Sequence, residues 1–242
     1  MKVARKVVFL FRDSEGFASA IFDALHPDTP SSLRPLEETL ELSLESYGIK
    51  DQKASAKILH YVDHQGNFQV SLLLMQNYKP PVLACAVTEV LSQITGGKSS
   101  SMPTLILPFV LASSKLKWES KTLTTKESKA SVYGIQIGPE TDITQAMAIR
   151  TQKVPSSLQI HHEPLACLLQ LARALKLPTF VLVGQISRHL SDKAIGEELE
   201  IVYEIGELLA SSSSLCFLRD RIVWQPTNTS KESDEPWRAL YG

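Results

Sequence analysis

The most constraining feature of the sequence is a continuous apolar run, Phe180 to Gly184, between two segments with helical periodicity. Consecutive apolar residues in a strand point to both faces of a sheet, so such a strand needs cover on each side. The flanking segments Leu165–Lys176 and Ala194–Ala210 carry apolar residues at the spacing of amphipathic helices. We therefore predict an α/β fold in which helices flank a mixed β-sheet on both faces.

The same alternation of strand and helix continues through the rest of the chain. A β-hairpin is predicted from the strand-like runs Lys57–Val62 and Phe68–Leu74, because the polar connection between them contains a glycine. The turn-rich stretch His26–Ser32 is expected to be a surface loop. Further strands are predicted at Val7–Phe11, Thr104–Leu107 and Ser131–Gly138, and further helices at Ser14–Leu25 and Val82–Ile94.

Two regions of the 242-residue chain differ in composition. Residues 1–224 are predicted to form one α/β domain, since a chain that is 43% hydrophobic can bury a sizeable core without disulfides or metals. Residues 225–242 are predicted to be a flexible tail, because Gln225–Pro236 contains no large apolar residue. Apolar side chains return at Trp237, Leu240 and Tyr241, a pattern that indicates a docking peptide on a solvated tether.

Charge and cysteine usage limit the classes of partner. The formal net charge is −1, so no overall field favours nucleic acid or an anionic membrane. No apolar run reaches the roughly 20 residues of a membrane span. Cys85, Cys167 and Cys216 each lie in an apolar run, which is consistent with a reducing compartment. We expect a cytoplasmic protein, with the nucleus as a second location, and no nucleic-acid or membrane partner.

Motifs for nucleotide binding, metal binding and catalysis are incomplete. Gly97-Lys98-Ser99 ends like a phosphate-binding loop, but Ser92 stands where the first glycine is required. Adjacent histidines in an extended segment, such as His161 and His162, point to opposite sides and favour surface or helix-entry positions. We therefore predict no catalytic residue, no metal site, no cofactor and no enzymatic activity.

The two histidines of the predicted hairpin are not predicted to be ligands, and one alternative class of protein stays open. His60 and His64, in the predicted hairpin, have no spacing that would place both rings on one face. An α/β enzyme or small-molecule-binding protein would instead have its pocket at the carboxyl ends of the strands. A cleft lined by His161, His162 and Glu163 would favour that alternative.

The end of the sequence carries a resemblance to a known family. Leu240-Tyr241-Gly242 resembles the hydrophobic–tyrosine–X ending by which proteasome activators and assembly chaperones dock on the proteasome alpha ring. Together with the segments Met102–Phe109 and His162–Leu165, most of the chain resembles the proteasome assembly chaperone 1 family, particularly its plant-type members.

The resemblance implies both a fold and a function. It implies an α/β subunit that forms a heterodimer with proteasome assembly chaperone 2 and promotes core-particle assembly. It also implies that Leu240, Tyr241 and Gly242 bind a pocket formed by proteasome alpha subunits. The glycine-rich early segment associated with the second subunit is replaced here by Ser14-Glu15-Gly16-Phe17, which favours the first subunit.

Overall fold

The computed structural model describes residues 1–28, 31–96, 102–117, 132–155, 157–186 and 192–222. Within them the α-helices are α1 Phe17–Ala24, α2 Val82–Thr95, α3 Asp142–Arg150, α4 Glu163–Ala174 and α5 Asp192–Ser213. The strands are β1 Lys6–Phe11, β2 Leu25–Pro27, β3 Arg34–Leu42, β4 Ala54–Val62, β5 Phe68–Met75, β6 Thr104–Ala112, β7 Leu116–Lys117, β8 Val132–Ile137, β9 Gln152–Lys153, β10 Gln159–Ile160, β11 Thr179–Ile186 and β12 Leu215–Phe217.

Eight of the described strands form one mixed sheet, in the order β3, β4, β5, β1, β6, β11, β8, β9. The centre is parallel: β1 lies between β5 and β6, and β6 continues beside β11. Antiparallel pairs β3–β4, β4–β5 and β8–β11 surround it. The predicted α/β class and mixed sheet are therefore confirmed, and so is the predicted hairpin, whose turn contains Gly66 at φ 82°.

Helices cover both faces of this sheet, as predicted. The side chains of β1 alternate between two cores: Val7, Phe9 and Phe11 pack with α2 and α4, whereas Val8 and Leu10 pack with α1, α3 and α5. A strand buried on both faces has to be apolar throughout, which is what Val7–Phe11 is. Of the helices described, none combines the length and apolar character that crossing a membrane would require.

The structure contains strands that were not predicted, and one predicted strand is longer than expected. β6 extends to Ala112, five residues beyond its predicted end at Leu107. Leu25–Pro27, which overlaps the predicted loop His26–Ser32, is a short strand that pairs with Leu215–Phe217. That partner is about 190 residues away in the sequence, so local sequence could not predict the pairing of His26 and Pro27. Asp28, Ser31 and Ser32 have neither helix nor strand, as predicted. β3 has no apolar alternation because most of its residues are exposed on the edge of the sheet.

Candidate functional site

The central strand β6 is paired unequally on its two sides. Toward β11, the parallel ladder runs over eight residue pairs and reaches Ala112. Toward β1, only three pairs form, and the last is Val8–Ile106. β1 itself continues beside β5 as far as Phe11. The sheet is therefore open between the carboxyl-terminal halves of β1 and β6.

Pro108 accounts for the early end of the β1–β6 ladder. The N–H of Thr104 donates to the carbonyl of Arg5 at 2.7 Å, on the β1 side, and that of Leu105 donates to the carbonyl of Pro178 at 2.8 Å, on the β11 side. N–H directions alternate along a strand, so the donors toward β1 recur at every second residue after Thr104. The second recurrence is Pro108, which has no N–H to donate. The ladder toward β11 does not need this donor and continues.

A crevice occupies the opening, at the carboxyl ends of the parallel strands where α/β sheets bind ligands. Its cavity volume is about 40 Å³, which is room for a few water molecules. Its walls are the β1–α1 loop, the second half of β6 and the start of α4. The lining includes Phe11, Arg12, Asp13, Asn77, Phe109 and His162.

The β1–α1 wall is fixed by hydrogen bonds from the helix to Asp13. The N–H groups of Phe17 and Ala18 donate to Asp13 Oδ1 and Oδ2 at 3.0 and 2.8 Å. These are two of the amides that a helix N-terminus leaves without intrahelical partners. Gly16, at φ 83°, supplies the left-handed conformation that brings the chain from Asp13 into the helix. Both carboxylate oxygens are therefore already engaged by the backbone.

The opposite wall begins with His162, which caps α4. Its Nδ1 accepts the N–H of Leu165 at 3.4 Å, and its ring lies edge-on to Phe109 with the ring centroids 5.5 Å apart. Burial, aided by the positive charge of Lys115, lowers the pKa of His162 from 6.5 to about 4. The imidazole is therefore neutral at pH 7. Because Nδ1 accepts a hydrogen bond, the ring proton resides on Nε2, which is a donor.

A family model covers the full sequence: it is described as Domain of unknown function (DUF7894) and matches residues 1–242. The chain belongs to this family. A search of the curated proteins found no match.

Solved structures share the fold of this DUF7894 chain at low sequence identity. A protein of unknown function from Corynebacterium glutamicum has a TM-score of 0.52 and 9% identity, covering 92% of this chain and 79% of that chain. PbaB from Pyrococcus furiosus, an archaeal proteasome activator, has a TM-score of 0.51 and 7% identity, covering 92% and 89%. A protein of unknown function from Mycobacterium tuberculosis has a TM-score of 0.51 and 12% identity, covering 89% and 72%. These similarities establish the fold.

The structure separates the residues of the predicted histidine segment. His161 and Glu163 are exposed and do not line the crevice, whereas His162 does. Pro164 follows in the first turn of the helix that His162 caps. The prediction of a helix-entry histidine is confirmed, and the cleft lined by all three residues is not found among the described residues.

The two histidines of the hairpin differ in burial. His60 is fully buried, its Nδ1 lies 2.8 Å from the hydroxyl oxygen of Ser71, and its ring stacks on Phe68. Burial lowers the pKa of His60. His64 is exposed in the hairpin turn. Within the described ranges, no cluster of three or more His, Cys, Asp or Glu residues could hold a metal ion.

Two motifs noted in the sequence fall outside the described residues. They are Gly97-Lys98-Ser99 and Leu240-Tyr241-Gly242, the second of which belongs to the predicted tail 225–242, none of which is described. The three cysteines are described, and each is a partly buried free thiol.

The crevice contains residues that sequence reasoning missed. Arg12 and Asp13 directly follow a strand that is buried on both faces, and polar residues at that position are a signal for a site at the carboxyl end of a sheet. Pro108 is a second signal, because a proline inside an apolar run marks the place where a ladder loses a donor. Asn77 and Phe109 carry no comparable signal, because only the fold brings them together.

Proposed function

We propose that this protein is a proteasome assembly chaperone that pairs with proteasome assembly chaperone 2. In this proposal the heterodimer binds proteasome alpha subunits or the alpha ring through Leu240, Tyr241 and Gly242, and promotes core-particle assembly. It acts by binding, without catalysis, cofactor or metal, in the cytoplasm and the nucleus.

The observation that carries the proposal is the fold shared with an archaeal proteasome activator. The similarity covers 92% of this chain and 89% of PbaB, so it extends over nearly all of both molecules. The second support is the ending Leu240-Tyr241-Gly242, which resembles the docking motif of proteasome activators and assembly chaperones. Fold and motif are independent features, and each points to the proteasome.

The proposed docking has a simple physical basis. Leu240 and the ring of Tyr241 offer apolar area to a groove, and the carboxylate of Gly242 can pair with a cation there. Residues 226–236 have the composition of a solvated linker, which can extend to roughly 35 Å. Binding by the tip is then separable from folding of the domain and from pairing with the second chaperone.

The proposal is tested with three variants of the ending, each purified with proteasome assembly chaperone 2. Deletion of Leu240–Gly242, the substitution Tyr241→Ala and the addition of a few residues after Gly242 should each weaken alpha-ring binding, measured by native gel and calorimetry. The extended variant keeps both apolar side chains and only displaces the carboxylate, so general apolar adhesion predicts no effect.

Ser230→Ala serves as the matched control, since it lies in the proposed linker and leaves its length and the tip unchanged. Circular dichroism and gel filtration should show the same fold and the same heterodimer for every variant. The docking proposal is wrong if all three altered endings bind alpha rings as the unmodified chain does.

The crevice favours a second candidate, an α/β protein that binds a small molecule. Its position at the carboxyl ends of β1, β5 and β6 is that of a ligand site. Both functions can reside in one chain, because the crevice belongs to the described domain and the docking motif lies outside it.

A further inference from the structure

The two edges of the eight-stranded sheet differ in length. At one edge β9 has only two residues, which pair with β8. At the other edge all nine residues of β3, Arg34–Leu42, pair with β4 in a continuous antiparallel register. No described strand lies on the outer side of β3. Edge strands in natural proteins are often short or bulged, because an open edge can pair with another chain. β3 is therefore suited to pair with a further strand.

The backbone groups of β3 that point away from β4 follow from the hydrogen bonds of Ser55. Its N–H donates to Tyr78 Oη at 2.8 Å, and the Tyr78 hydroxyl donates to its carbonyl at 3.3 Å. Tyr78 follows β5, so both backbone groups of Ser55 face the β5 side. Ser55 is paired with Glu41 of β3. Paired residues in an antiparallel ladder face either toward or away from each other, so the N–H and carbonyl of Glu41 point outward.

The outward groups recur at every second residue before Glu41, which are Thr39, Glu37 and Pro35. Pro35 has no N–H, but the missing donor belongs to the outer side, so the ladder to β4 does not lose a bond. Three amides and four carbonyls therefore point away from the sheet at the spacing that a paired strand requires. No described residue supplies a partner for these three amides.

The side chains of β3 add a chemical pattern to this edge. Leu36 and Leu40 lie on the same face as Leu42, which is buried in the core beneath α2, because side chains on one face recur at every second residue. Leu36 is 43% exposed. Three glutamates and one arginine give the strand a net charge of −2. Of these glutamates, only Glu37 has a described cation within ion-pair distance, Lys57 Nζ at 3.1 Å.

We propose that β3 binds an extended basic segment of another protein, which adds a ninth strand to the sheet. In an antiparallel arrangement, basic side chains of this segment lie opposite Glu37, Glu38 and Glu41, and apolar side chains lie opposite Leu36 and Leu40. The backbone bonds supply affinity, and the side-chain pairs select the sequence. This inference does not depend on docking at the proteasome.

A second copy of the chain fits this edge less well than a basic segment. Two β3 strands that are related by a two-fold axis and paired along their whole length would place Glu38 opposite its own copy, because Glu38 is the central residue. Like charges directly opposite each other destabilise a strand pair. The same glutamates attract lysine and arginine side chains, so the charge of the edge favours a basic partner.

The test uses a synthetic peptide that matches the pattern, acetyl-Gly-Lys-Val-Thr-Lys-Lys-Val-Gly-amide. Its six central residues lie opposite β3 from Glu41 back to Leu36. Binding to the full chain is followed by amide chemical shifts in two-dimensional NMR spectra. A short strand without a deep pocket should bind with a Kd of about 1 mM or below at low ionic strength. We expect saturable shifts at the amides of Glu37, Thr39 and Glu41, which should also exchange their hydrogens more slowly.

Two control peptides separate the backbone contribution from the charges. N-methylation of the peptide threonine keeps every charge but removes the N–H that would donate to the carbonyl of Thr39. It should weaken binding at least about tenfold. Replacement of the three peptide lysines by glutamates keeps the backbone donors but reverses the charge, and it should also weaken binding at least about tenfold.

Substitutions in the chain test the same two contributions. Thr39→Pro removes an outward N–H, as Pro35 does, and should abolish peptide binding, whereas Thr39→Val keeps the N–H and should bind like the unmodified chain. Glu41→Gln should weaken binding about threefold because an exposed charge pair is lost. Glu140→Gln is its matched control: it changes an exposed glutamate that follows β8, near the other edge of the sheet, and should have no effect.

The proposal is wrong if the N-methylated peptide binds as tightly as its parent, because the contact is then purely electrostatic. It is also wrong if the shifts occur away from β3, or if Thr39→Pro and Thr39→Val bind alike. A homodimer in gel filtration that Thr39→Pro dissociates would show that a second copy occupies the edge, and would overturn the proposal. If Thr39→Pro does not fold, the comparison of the parent and N-methylated peptides on the unmodified chain decides.

Discussion

The two sides of β6 show how one strand can serve both as core and as the wall of a site. On the β11 side, eight pairs form and the neighbouring side chains, such as Leu182, are fully buried. Gly184 lets α5 pack closely there, since a Cβ at this position would lie 2.2 Å from Ile201 Cγ2. On the β1 side, pairing stops at Ile106, and Val110 is only partly buried beside the crevice.

The difference between the two sides is set by hydrogen-bond direction more than by hydrophobicity. Pro108 lies in an apolar strand and is buried, yet it lacks the donor that β1 would need. Polar residues line the crevice where the pairing ends: Arg12 and Asp13 follow β1, and His162 caps the start of α4. A single missing N–H can thus place a polar crevice inside an otherwise apolar sheet.

The largest expected effect is an unequal loss of stability when a side chain is truncated to alanine on each side of β6. Leu182→Ala should lower the free energy of unfolding by about 3 kcal/mol, because Leu182 is fully buried and leaves a cavity. Val110→Ala should cost about 1 kcal/mol, because Val110 is partly exposed at the crevice. Urea unfolding of both variants measures the difference. Equal losses would contradict the distinction between a closed and an open side.

The next effect is a dependence of stability on pH that arises on the open side. His162 has a pKa of about 4 in the folded protein and an ordinary value of 6.5. Between these values the unfolded chain binds a proton that the folded protein does not, so the free energy of unfolding falls as pH decreases below 6.5. With the screening of a partly exposed ring taken into account, this residue contributes about 2 kcal/mol across the interval.

His162→Asn isolates that contribution, because asparagine can accept the capping hydrogen bond but does not titrate. Urea unfolding at pH 7 and pH 5 should show a smaller loss of stability for this variant than for the unmodified chain. The lowered pKa of His60 acts in the same direction and is present in both proteins. Identical losses would mean that His162 titrates normally in the folded state.

Much of the architecture follows from local sequence. The runs Val7–Phe11 and Phe180–Gly184 could only be strands covered on both faces, and Val82–Ile94 matches the described helix to within one residue. β3 and β12 were missed because one is polar and exposed, and the other is three residues long and depends on a distant partner. Local periodicity reports burial, and neither strand has a periodic buried face.

The crevice was less predictable than the fold. The sequence singled out His161, His162 and Glu163 together, but only His162 enters the lining, because the start of α4 turns its neighbours toward solvent. The predicted strand β6 stops just before Pro108, although this proline ends pairing on one side only. Which side a proline leaves unpaired depends on register, and register is a property of the assembled sheet.

The smallest expected change in stability, and the sharpest test of the comparison, is Pro108→Ala. The substitution restores an N–H directed at β1, so the β1–β6 ladder should extend by one hydrogen bond. That bond contributes about 1 kcal/mol, and the loss of the proline constraint on the unfolded chain costs about the same. The net change in the free energy of unfolding should therefore lie within about 0.5 kcal/mol.

Amide hydrogen exchange then shows whether the missing donor opened the sheet. In the unmodified chain, the amide of Phe109 faces β11 and should exchange at least about tenfold more slowly than that of Val110, which faces the crevice. In Pro108→Ala the new amide should be protected like that of Phe109, because β1 offers it a carbonyl, while the amide of Val110 should stay fast. If the new amide exchanges as fast as that of Val110, the strands are held apart by side-chain packing and not by the missing donor. The crevice would then be a consequence of side-chain volume, and Pro108 would only occupy a gap that already exists.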